Sequence, residues 1–233
     1  MERWMLSAIG LAALFGCQAC MSLPQERSSD QPEAELAGGW TDQGTDAAPV
    51  EEAADQAQGL LREWLKDPTL AVERVLRAQS QVVAGTNFRL ALEVQRKGAP
   101  VGVVVVVYQD LKGTFSLTSV AIGPTGGSSL DFSSAPGASD LYGGFTEQST
   151  TNPGMQEAAR KALELMRQPE FFDDPTLELT SLSRVLTGVC AGIDYYFEME
   201  LETSAGSLSA QAELYQDLKD DYVLTWARLE RVR

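Results

Sequence analysis

Gln81-Val82-Val83-Ala84-Gly85 lies between Val75-Leu76-Arg77-Ala78-Gln79-Ser80 and Thr86-Asn87-Phe88-Arg89-Leu90-Ala91-Leu92-Glu93-Val94. Both flanks alternate apolar and polar residues, the pattern of half-buried strands, so the five residues between them read as the tip of a hairpin. Turns exposed to water normally carry Asn, Asp, Ser or Pro. Here one polar residue is followed by Val82, Val83 and Ala84, with Gly85 closing the turn. Apolar surface offered on a loop points to a binding edge.

The rest of the chain is organised around this hairpin because the hairpin occurs twice. Leu36-Ala37-Gly38-Gly39-Trp40-Thr41-Asp42-Gln43 returns as Leu141-Tyr142-Gly143-Gly144-Phe145-Thr146-Glu147-Gln148 at an offset of 105, and Tyr108-Gln109-Asp110-Leu111-Lys112 returns as Tyr215-Gln216-Asp217-Leu218-Lys219 at an offset of 107. Two residues are therefore inserted between these markers, and the change falls where the first helical pattern runs out. At the later offset the hairpin lands on Gly188-Val189-Cys190-Ala191-Gly192. Val50, Ala53, Ala54, Ala57, Leu60, Leu61, Trp64 and Leu65 behind Pro49 form one apolar helical stripe. Met155, Ala158, Ala159, Ala162, Leu165 and Met166 behind Pro153 form another. Strands are expected over 70–84, 86–97, 101–110 and 114–122, and again over 177–191, 193–203, 207–217 and 221–232. One apolar helix face and one apolar sheet face in each repeat imply an α+β fold, a helix packed across a four- to five-stranded antiparallel sheet, in two tandem domains.

Composition narrows the function. The net charge is −15, with −2 over residues 36–122 and −8 over 141–233, so there is no basic stripe for nucleic acid. The chain has no histidine, which removes the usual general base, the imidazole of Ser-His or Cys-His catalysis and the commonest metal ligand. No enzyme activity, cofactor or metal is expected. The acid pairs Asp173-Asp174 and Asp220-Asp221 read as solvated charge in polar turns. Of three cysteines, Cys17, Cys20 and Cys190, only Cys190 lies in the repeats, which excludes a disulfide framework there.

Residues 1–20 read as a signal peptide, with an apolar run from Trp4 too short to span a bilayer. Leu14-Phe15-Gly16-Cys17 is similar to a bacterial lipobox, which implies lipid attachment at Cys17; the alternative is plain cleavage near Ala19 and a soluble secreted protein. Residues 21–35 are polar and read as a flexible tether, and 123–140, rich in Gly, Ser and Pro, as a linker. The repeats are then 36–122 and 141–233, in a protein that is secreted or held at the cell envelope.

The pentapeptide, the Gly-Gly segment before it and the element order together resemble the cystatins, protein inhibitors of papain-like cysteine proteases. The resemblance implies a reversible, non-covalent wedge that occludes the protease cleft, formed by an N-terminal glycine and two hairpins on one edge of the sheet. Carried over to the first repeat, these are Gly38 with Gly39, the hairpin Gln81, Val82, Val83, Ala84 and Gly85, and the turn at Asp110 and Leu111. A second site in the second repeat would comprise Gly143, Gly144, Val189, Cys190, Ala191, Gly192 and Leu218. Glycine admits close approach to the cleft, and small stiff side chains supply apolar contact at little rotamer cost. The family's second hairpin often carries a Pro-Trp pair, whereas Asp110-Leu111 and Asp217-Leu218 stand here. Gly188 and Cys190 replace the hairpin glutamine and middle valine, so the second repeat reads as a weaker inhibitor or as a structural duplicate. The rival to inhibition is a non-inhibitory binding or assembly module of the envelope.

Overall fold

The computed structural model describes residues 39–123, 145–189 and 191–232. In chain order the elements are β1 (Thr41–Gln43), α1 (Ala48–Trp64), β2 (Ala71–Val83), β3 (Gly85–Arg96), β4 (Ala99–Gln109), β5 (Phe115–Gly123), β6 (Thr146–Gln148), α2 (Pro153–Met166), β7 (Glu178–Val189), β8 (Ile193–Thr203), β9 (Gly206–Gln216) and β10 (Tyr222–Arg231). The ends of the long strands differ from the sequence expectation by no more than two residues. Among the described residues no helix is long and apolar enough to cross a membrane.

Each helix begins where proline fits its first turn. Pro49 opens α1, and Asn152 caps α2 by accepting a hydrogen bond from the Gly154 amide at 2.9 Å. The helices bury small residues, Ala53, Ala54 and Ala57 in one and Ala158, Ala159 and Ala162 in the other, which lets them lie close to the sheet. Against them stand Leu90, Leu92, Val103, Val105, Val107 and Ile122 from the first half and Phe197, Met199, Ala212 and Leu229 from the second, in one continuous apolar cluster. The valine run of β4 is buried on both faces, because Val104 packs with Ala91 and Ala121 on the side away from the helices.

The sheet bends around the helices at matching irregularities. In β2 and β7 the register shifts at Val72/Arg74 and Val75/Arg77 and at Leu179/Ser181 and Leu182/Arg184. The last strand of each half is bulged as well, and there the Thr118 hydroxyl donates to the Val106 carbonyl as the Thr225 hydroxyl donates to that of Glu213. An extra residue at each such point increases the local twist. The two inserted residues lie just past α2. Arg62 Nε donates to the carbonyl of Leu70, eight residues on, and Arg167 Nε to that of Leu177, ten residues on. One closure is thus made over two loop lengths.

The sequence did not predict how the halves join. All ten strands form one antiparallel sheet in the order β1-β2-β3-β4-β5-β10-β9-β8-β7-β6. The central pairing is β5 with β10, from Ile122 opposite Ala227 to Ser119 opposite Glu230. Each half would otherwise present an unpaired, largely apolar edge strand to water. A polar contact reinforces the seam: Arg96 and Asp67, both buried, lie 3.8 Å apart, and Arg96 also donates to the carbonyl of Phe171 in the other half. Lys97 pairs with Asp173, and Lys66 lies 3.9 Å from Asp174. Asp173 and Asp174 therefore serve as ion-pair partners across the halves rather than as freely solvated charge. Hydrogen bonds from Thr69 hold the Asp67 carboxyl below the usual carboxylate range, against the upward push of burial. Burial pushes Asp174 up, but hydrogen bonds from Thr176 and the charge of Lys66 outweigh it and leave that carboxyl low as well.

Candidate functional site

The hairpin tip is held by its neighbours rather than by its own turn residues. Val83 pairs with Gly85 around Ala84, and Gly85 takes φ +132°. A Cβ there would lie 2.3 Å from the Gln109 carbonyl oxygen and 2.8 Å from the Tyr108 ring, so β4 can approach only because the residue is glycine. The Tyr108 hydroxyl donates to the Ala84 carbonyl and braces the tip. Gln81 accepts from the Asn87 side-chain amide at 2.9 Å, a rung across the hairpin. What remains presented is apolar: Val82 is 69% exposed and Val83 43%.

The second turn lies beside the first in register, since Thr86 stands opposite Gln109. Asp110 turns its carboxylate inward, where Oδ1 accepts from the amides of Lys112 and Thr114, both at 2.8 Å. Its part is to shape the turn, as aspartate does in Asx-turns. Leu111 is left at the apex, 85% exposed. On the other flank Thr41 pairs with Ser80, which brings Gly39 and Trp40 alongside the strand that carries Gln81 and Val82. Trp40 is anchored by the Arg89 guanidinium, 4.0 Å from its ring centre. Gly38 lies outside the described residues.

Three segments thus line up at one end of the first half-sheet: Gly39 with Trp40, the Val82–Val83 tip and the Leu111 turn. A fully buried side chain of this size contributes on the order of 2 kcal/mol to folding. These tips forgo that gain and present apolar surface to solvent. Among the described residues no group of three or more His, Cys, Asp or Glu side chains could hold a metal ion. The strong upward shift at Tyr196, caused by burial and the neighbouring Glu198, lies on a middle strand away from either tip. The edge can work by shape and apolar contact.

The second half builds the same framework with different presented residues. Gly192 would place a Cβ 2.3 Å from the Gln216 carbonyl oxygen, and the Tyr215 hydroxyl donates to the Ala191 carbonyl at 2.6 Å. Asp217 Oδ1 accepts from the amides of Lys219 at 2.7 Å and Asp221 at 2.9 Å. Val189 is 79% exposed and Leu218 85%. Gly188 stands where the first half has Gln81 because the Phe145 ring lies over it: a Cβ would meet that ring at 3.1 Å. Cys190, Gly143 and Gly144 lie outside the described residues, as does Cys17. Sequence reading overlooked Tyr108, Tyr215 and the Trp40–Arg89 contact. The signal for the tyrosines was present, since each opens the repeated Tyr-Gln-Asp-Leu-Lys stretch.

A family model described as Cystatin domain matches residues 38–114, which spans the first half from the glycine segment to the second turn. The first half accordingly has a cystatin-like fold. Similar solved structures include mouse fetuin-B, at 15% identity and a TM-score of 0.28, covering 80% of this chain and 69% of that one. Mouse fetuin-B in complex with crayfish astacin gives 15% identity, a TM-score of 0.32 and coverage of 83% and 69%. The inhibitory complex of human meprin beta with mouse fetuin-B gives 13%, 0.30, and coverage of 80% and 74%. No curated protein matches the chain.

Proposed function

We propose that this protein is a reversible, non-covalent inhibitor of papain-like cysteine proteases, acting mainly through the edge of its first half. The observation that carries the reading is the braced and exposed apolar tip, Val82 and Val83, in line with the Leu111 apex and the Gly39–Trp40 segment. A papain-like cleft is a narrow apolar groove around a thiolate. A rigid tip of small side chains enters it with little entropy left to lose. Leu111 supplies less area than a tryptophan anchor, which lowers the affinity by about 2 kcal/mol, roughly thirtyfold. The same substitution favours the second reading, a non-inhibitory binding or assembly module of the cell envelope.

Titration of the purified protein against a papain-like protease tests the proposal. The parent is expected to inhibit, and Val83→Glu to abolish inhibition through the first edge with an unchanged melting temperature, because the tip is solvated when free and would be desolvated when bound. A parent that does not inhibit leaves the module reading. The proposal further takes residues 36–122 and 141–233 as two units built on one tandem pattern, and places the protein outside the cytoplasm, tethered by lipid on Cys17. Cys17→Ser is then expected to move it from the membrane fraction to the soluble one. Unchanged partitioning would sink the lipid tether.

A further inference from the structure

The sheet order reads the same from either edge, and its centre is an antiparallel pair, β5 with β10. β5 begins just after the Asp110–Leu111 turn and β10 just after the Asp217–Leu218 turn. Because the two strands run in opposite directions, these turns lie at opposite ends of the sheet. Counting strand residues between them at about 3.3 Å each separates the two tip regions by roughly 35 Å along the strand direction. Nothing bound at one tip need touch what is bound at the other.

The second tip is presented as fully as the first. Its apolar residues Val189 and Leu218 are exposed, and its brace from Tyr215 and its close approach at Gly192 repeat those of Tyr108 and Gly85. What changes is the charge around it. Asp194 replaces Asn87, Asp220 replaces Gly113 and Asp221 replaces Thr114, so three carboxylates are added around a tip that keeps the apolar Val189 and Leu218 and carries Gly188 in place of Gln81 and Cys190 in place of Val83. Asp220 keeps the positive φ of the glycine, +68° against +84°, so the turn is preserved while the charge is added.

The geometry points to a second, oppositely directed inhibitory edge, so that one chain holds two papain-like proteases at once, the second selected by a basic rim around its cleft. This rests on the reading of the first edge as an inhibitor. Charge complementarity at a rim acts on encounter and partner choice more than on the apolar contact itself. The two edges therefore differ in which protease they admit and in their response to salt.

The test mixes the full chain with rising amounts of a papain-like protease of basic net charge, its active-site thiol alkylated, and reads the mass of the complex by light scattering. Two proteases per chain are expected for the parent, one for Val83→Glu, one for Val189→Glu and none for the double variant. Leu218→Glu, at an apex 85% exposed, gives the same answer should Val189→Glu fold poorly. Raising the salt from about 0.05 M to about 0.5 M is expected to weaken the complex of Val83→Glu about tenfold and that of Val189→Glu much less. One protease per parent chain, retained by both Val189→Glu and Leu218→Glu, overturns the second edge and leaves the first intact. No complex with the parent overturns both readings, and an equal salt response of the two edges overturns the basic-rim selection.

Discussion

The two halves of the sheet share a framework and differ in what they display on it. Tyr108 and Tyr215, Gly85 and Gly192, Asp110 and Asp217, and Thr118 and Thr225 make the same contacts in each half. Gln81 and Gly188, Asn87 and Asp194, and Thr114 and Asp221 occupy matching places and are chemically unlike. The difference separates residues that build the tips from residues displayed on them. Framework positions are confined alike in both halves by close approach and by turn hydrogen bonds, whereas the differing positions meet different neighbours, Gln81 bonding to Asn87 and Gly188 lying under the Phe145 ring.

The comparison breaks most sharply at the joint between the halves. Asp67 lies beside buried Arg96, while Thr203 stands at the place in the second half that matches Arg96, and the cation paired with Asp174 is the exposed Lys66. Asp67→Ala leaves a buried guanidinium without its counter-charge and is expected to cost about 3 kcal/mol. Asp174→Ala should cost about 1 kcal/mol, mostly its turn hydrogen bonds. Urea denaturation midpoints of the two variants measure this, and equal losses would show that the joint is symmetric. The pH dependence follows from the same groups. Both carboxyls titrate below their unfolded value of about 3.9, so their contribution is complete above that pH and is lost as pH falls through the folded values. The gap between parent and Asp67→Ala should narrow as the pH falls below about 3.9, and a gap that widened in acid would refute the assignment.

A smaller effect sharpens the comparison at the tips. Tyr108→Phe and Tyr215→Phe each remove one hydroxyl that braces a tip carbonyl. Each should cost about 1 kcal/mol of binding through its own edge, four- to tenfold or so, with little change in melting temperature. If either substitution left inhibition unaltered in a protein held to one edge by Val83→Glu or Val189→Glu, the brace would be dispensable.

By itself the sequence determined the elements and their order. Alternation over ten or so residues marks a strand with one buried face, and the alanine-rich stripes behind Pro49 and Pro153 mark helices, because those patterns record local geometry. The apolar tip was legible for the same reason, as side chains out of place in a turn. Only the tertiary structure decided that β5 pairs with β10, that Asp173 and Asp174 reach across to Lys97 and Lys66, and that Gly85 is required by the Gln109 carbonyl. Strand pairing at an edge is made by backbone N–H and C=O groups that every residue but proline carries alike, so it leaves no signature in side-chain order. The opposite directions of the two tips follow from that one pairing, and residues 39–123 read alone contain no trace of them.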